Sequence, residues 1–205
     1  MLAPFLLMIA AASAGDDEAT RLRDVFIAAC VDAQVPAHIV EEQPFEGKGK
    51  AFERYVEGAA SRRLFALTGL DNSYLVFGEY QSNSTLEKRC GVFSPKWNPA
   101  QVERAVFSSP RLTGSGEFQP PLGRMGYLEA GVRHGRSFST EIAYGHHRGR
   151  GYAMLTVYTP ETAAARLEAG KQIGACSAGK KPEVGNCSPG SLRRANQILW
   201  SFNGS

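Results

Sequence analysis

At 205 residues, 43% hydrophobic and 21% charged, the chain has the composition of an ordinary globular protein with room for one sizeable core. Its net charge of +3 is too small to suggest nucleic acid, whose binders concentrate positive charge on one face. No transmembrane span is expected in the mature chain, because nothing after the N-terminus approaches the roughly 20 apolar residues a span requires.

Residues 1–14, MLAPFLLMIAAASA, form an apolar run that ends in the Ala-Ser-Ala pattern cut by signal peptidases. They are read as a signal peptide, with the mature chain starting near Gly15 and residing in the periplasm or the secreted fraction. The rest divides into a single α+β domain over 15–170 and a disulfide-looped C-terminal tail over 171–205.

Asp16 or Asp17 caps a first helix whose Leu22, Val25, Phe26, Ala29, Cys30 and Ala33 recur at the spacing of one buried stripe, and Pro36 ends it. The polar stretch FEGKGKAFERYVEG reads as a loop followed by a short helix. Three strand-like runs come next, RRLFALTG, SYLVFGEY and TLEKRCGVF, separated by turn residues at 71–73 and 81–84. They form an antiparallel meander in which Leu86, Cys90 and Val92 share an apolar face, with Glu87 and Arg89 on the other.

A second round begins at Asn98 and Pro99, an N-cap followed by a proline suited to the first helical position, with Val102, Ala105 and Val106 behind it. Residues 108–123 lack periodicity and make a long loop, functional or mobile. RMGYLEAGVRH, SFSTEIAY and GYAMLTVY give a second three-stranded meander. The register that places Phe138, Thr140, Ile142 and Tyr144 opposite Val132, Ala130 and Leu128 needs a loop centred on Gly135. YAMLTVY is apolar on both faces and so is either central in the sheet or covered on both sides by the terminal helices. Thr159 and Pro160 open another helix, which Gly170 is expected to end. The architecture expected is a mainly antiparallel sheet of two meanders with helices packed on one face.

Four cysteines in an exported chain imply two disulfides. Cys176 and Cys187 enclose a short flexible loop, which leaves Cys30 to Cys90. No cofactor or metal is expected: His134 and His146 lie a strand's length apart, and no two cysteines have the short spacing of a zinc site. In the turn GHHRGRG, His146, His147, Arg148 and Arg150 offer an anion-binding group, since arginine forks and glycine-flanked amides suit oxyanions. Glu141 reads as a solvated or cross-strand charge. No nucleophile elbow, zinc-protease helix or phosphate loop is present in the sequence.

The function expected is that of a non-catalytic binding or interaction domain whose partner is another envelope protein or an anionic surface. An exported hydrolase of unrecognised type is the alternative. In the C-terminal segment Leu192, Ala195, Leu199 and Phe202 mark a last helix, with Arg193 and Arg194 outward, that either docks on the domain or serves as the binding element.

Overall fold

A computed structural model describes residues 14–34, 40–98, 100, 101, 104, 131–134, 138–147, 149–177 and 187–200. The expected signal segment through 13, Pro36, the expected 108–123 loop, Leu128, Ala130, Arg148 and Phe202 lie outside the described residues. So do Val102, Ala105 and Val106.

The first helix, α1 (Ala14–Phe26), follows the apolar stripe of the sequence: Leu22, Val25 and Phe26 are buried, as are Ala29 and Cys30 beyond it. From Ile27 to Val31 the helix widens into π geometry, with the Asp32 amide donating to the Ile27 carbonyl at 2.9 Å. That wider turn breaks the 3.6-residue phase, so Ala33 leaves the stripe. It is exposed, at a left-handed φ of 54°, where the chain turns away.

Seven antiparallel strands form one continuous sheet in the order β1-β2-β3-β4-β7-β6-β5. They are β1 (Val40–Gln43), β2 (Ser61–Leu67), β3 (Tyr74–Glu79), β4 (Leu86–Ser94), β5 (Gly131–His134), β6 (Thr140–His147) and β7 (Arg150–Tyr158). Each expected run carries a strand, and of RMGYLEAGVRH only residues 131–134 are among those described. The two meanders merge because β4 and β7 pair, Cys90 opposite Leu155 and Phe93 opposite Tyr152. β7 is thereby central, as its apolar faces require.

β1 is an addition to the expected order, a polar edge strand paired with β2 and tied on its outer side by an exposed Glu42–Arg63 ion pair of 3.1 Å. The turn at 71–73 carries Asn72 at a φ of 55°, a conformation asparagine tolerates better than most residues.

Alternation along the strands divides the core in two. On one face Phe65, Leu75, Cys90, Val92, Ile142, Ala153 and Leu155 pack against α1 and its π extension. On the other, Leu64, Val76, Phe93, Tyr152 and Met154 pack against Phe52 and Val56 from the short helix α2 (Lys50–Glu53) and the 3-10 turn after it. Helices therefore cover both faces, not one. Each face of the central strands is apolar, so each needs its own cover.

The expected register of the second meander is also revised: Val132 pairs with Ala143, and neither Ile142 nor Tyr144 stands opposite it. Phe138 accounts for part of the difference. At a φ of 56° it departs from the strand and is buried with Ala169 and Ala195, a helix layer separate from the two sheet cores.

Thr159 caps the helix α3 (Pro160–Ser177), its hydroxyl 3.5 Å from the Thr162 amide. Gly170 does not end this helix. A Cβ there would lie 2.6 Å from Cζ of Phe138, so the residue is a contact point for the ring and the helix runs on to Ser177. Gly170→Ala should therefore destabilise the fold by about 1–3 kcal/mol through overpacking. In a Phe138→Leu background the same change should cost less, a non-additivity that urea melts of the four proteins would measure.

Asn98 acts as the expected N-cap. Its side chain accepts from the Gln101 amide at 2.9 Å while Gln101 accepts from the Asn98 amide at 3.1 Å, a reciprocal capping box. The last helix, α4 (Pro189–Trp200), is capped by Ser188 and docks on α3, with Ala195 buried and Arg193 and Arg194 exposed. Both disulfides join as expected, Cys30 to Cys90 with Cα atoms 5.2 Å apart and Cys176 to Cys187 with Cα atoms 5.6 Å apart. The first staples the π segment to β4. The second holds the end of α3 to the start of α4.

Candidate functional site

β6 and β7 form a hairpin whose last pairs are His146 with Gly151 and His147 with Arg150. Since neighbours along a strand point to opposite faces, the tip divides its basic residues between the two sides of the sheet. Arg150 lies on the α2 side, with its guanidinium 5.6 Å from the Phe52 ring centre and 5.9 Å from that of Tyr74. His146 belongs to the opposite face and does not join it. The side chains of His147 and Arg148 are outside the described residues.

The tip is pressed against the chain that leaves β4. A Cβ on Gly151 would fall 1.5 Å from the Trp97 carbonyl oxygen, so only glycine lets the turn from Ser94 to Trp97 lie there. Trp97 itself is fully buried.

Beneath Arg150 lies a set of five rings. Phe52 is 4.8 Å from Tyr74 and 5.2 Å from Phe93, Tyr55 is 4.7 Å from Phe93, and Tyr152 stacks on Phe93 at 5.6 Å. Such offset and tilted pairs add to the area they bury. Burial, helped by the neighbouring Tyr55, pushes the Tyr152 phenol up to about 12 against an opposing pull from Arg54.

The Tyr152 shift fixes a pH dependence. As pH rises past the usual tyrosine value near 10, the phenol ionises in the unfolded chain and stays protonated in the folded one, so unfolding is favoured. The stability it contributes is complete below about pH 10 and lost by about pH 12. Tyr152→Phe should flatten that alkaline decline, measured as urea midpoints between those pH values.

A second polar group is buried between the sheet and α3. Arg166 donates from Nη2 to Oε2 of Glu141 at 2.6 Å, and the Tyr158 hydroxyl donates to the same oxygen at 3.2 Å. The guanidinium also lies 3.7 Å from the centre of the Tyr158 ring. Exposures are 0% for Arg166 and 2% for both Glu141 and Tyr158. Burial and the adjacent carboxylate raise the Tyr158 phenol well above the tyrosine range. Glu141 is thus buried and not solvated: it has a cross-strand partner in Tyr158, and its counter-charge comes from α3.

In this arrangement the carboxylate is an acceptor for two donors and is shut off from solvent. Its chemistry is that of an internal tie. The sequence signal for Arg166 was slight: one arginine in an alanine-rich helix, 25 residues from its partner.

Among the described residues no group of three metal-ligating side chains converges, and no helix is long and apolar enough to cross a membrane. The largest exposed apolar side chain among them is Ile198 on α4, at 37%. Comparison with family models, with curated proteins and with solved structures finds no match to this chain.

Proposed function

We propose that the chain works outside the cytoplasm, in the periplasm or the secreted fraction, as a non-catalytic domain that binds another component of the cell envelope. The observation that carries this reading is the pairing of all four cysteines in two bridges, a usage suited to an oxidising compartment. The apolar run ending in Ala-Ser-Ala supplies an export route. The buried carboxylate supports a binding role over a catalytic one, since Glu141 is already engaged by Arg166 and Tyr158.

The test is made on the complete chain in the cell that produces it. Fractionation and N-terminal sequencing should recover a protein beginning near Gly15 outside the cytoplasm, with both disulfides formed. Photo-crosslinking from the β6–β7 hairpin should capture an envelope component. Accumulation in the cytoplasm from Met1 would overturn the location. Sustained turnover of ester, peptide, glycoside or phosphoester substrates would overturn the non-catalytic role.

A further inference from the structure

The arginines Arg23, Arg62, Arg63 and Arg166 each have a carboxylate, from Asp24, Glu53, Glu42 and Glu141 respectively. Arg150 has none among the described residues. It is half-buried, and its Nε is shut off from solvent with no hydrogen-bond partner. A partly desolvated cation is costly unless paired, and the faces of Phe52 and Tyr74 compensate only in part. The two Nη groups are not shut away in this manner, and they form the open edge of the guanidinium.

A second cation belongs to the same end of the sheet. Lys96 is exposed on the turn that follows Ser94, and the next residue, Trp97, has its carbonyl against Gly151. Lys96 also lacks a carboxylate among the described residues. The whole stretch from Tyr144 to Tyr158 contains no Asp or Glu, so neither β7 nor the turn that precedes it offers an acid to this positive charge.

We propose that this end of the sheet, where the β6–β7 hairpin meets the turn after β4, binds a phosphate group held by the Arg150 fork, with Lys96 on the adjoining turn. Phosphate is favoured over a carboxylate because its several acceptor oxygens can meet the Arg150 fork and a second cation at once, and the stretch from Tyr144 to Tyr158 carries no acid. The Phe52 and Tyr74 rings flank the guanidinium at 5.6 and 5.9 Å, and its Nη groups are left to donate. This deepens the binding reading above and rests on it, since it assigns the recognised feature of the envelope component. The phosphate comes either from a soluble phosphate or from the phosphodiester of a lipid headgroup, and both present non-bridging oxygens that accept from a guanidinium fork.

The experiment uses the full oxidised protein, with inorganic phosphate followed by calorimetry and vesicles of phosphatidylcholine with or without phosphatidylglycerol followed by sedimentation. Binding to at least one anionic probe is expected, weakened about tenfold or more by Arg150→Met, since hydrogen bonds to a charged group are lost. Arg150→Lys should fall between, and Arg23→Gln should leave binding unchanged. Phosphate binding points to a soluble source. Binding to anionic vesicles alone points to the headgroup.

Near-ultraviolet circular dichroism and the two intact disulfides establish that each variant is folded. Should Arg150→Met disturb the fold, Lys96→Gln provides the independent reading and should weaken binding severalfold. Absence of binding to both probes overturns the proposal, as does binding that Arg150→Met leaves intact. Capture of an envelope component that survives Arg150→Met would overturn this site while preserving the binding role. Phosphate binding by a protein found in the cytoplasm would preserve this site while overturning the location outside the cytoplasm.

Discussion

Removing the Cys30–Cys90 bridge as a Cys30→Ala, Cys90→Ala double variant is expected to lower stability by about 4 kcal/mol, against about 3 kcal/mol or less for the Cys176, Cys187 pair. The bridges enclose separations of 60 and 11 residues, and a longer closed loop restricts the unfolded chain more. Location adds to the difference. Cys30 and Cys90 are 0% and 1% exposed within the core that joins the π segment to the sheet, whereas Cys176 and Cys187 are half-buried at the junction of two helices. Urea midpoints with an unchanged dependence on denaturant would measure both effects. An equal or larger loss from the C-terminal pair would show that the α3–α4 junction, and not the α1–sheet junction, limits the fold.

Much of this framework follows from periodicity. The stripe Leu22, Val25, Phe26, Ala29 and Cys30 is legible because a helix must turn one face inward, and Cys90 with Val92 is legible because a strand must alternate. Together they predict the disulfide. What periodicity misses is instructive. β1 reads VEEQ, too short and polar for a strand by pattern, and exists because β2 offers it a ladder of backbone partners. Gly170 has the residue type of a helix stop, but the Phe138 ring uses the space its missing side chain leaves.

The division of helices between the two faces was partly visible in YAMLTVY, whose apolar residues on both sides require two covers. A single short helix, KAFE, supplies Phe52 to the second face, and nothing in four residues announces such a role. The same limit applies to the site. Arg150 stood out as basic, yet its bed of Phe52 and Tyr74 comes from segments about 75 to 100 residues earlier, which only strand order brings near. Sequence proximity suggested that His146 and Arg150 act together; the pleat separates them.

Glu141→Ala should be among the most destabilising single changes in the protein, at about 3–5 kcal/mol, because it leaves the fully buried Arg166 without its carboxylate. Glu141→Gln should cost less, since the amide oxygen can still accept from Arg166 and Tyr158. The pair as a whole is a different matter. Bringing both charges out of water is expensive, so a Glu141→Leu, Arg166→Met double variant should recover most of the loss, and the two single changes will be strongly non-additive. Urea melts of the parent, both singles and the double provide the comparison. Additive losses would mean that the sheet and α3 are held together by apolar packing and that the Glu141–Arg166 tie contributes little to their attachment.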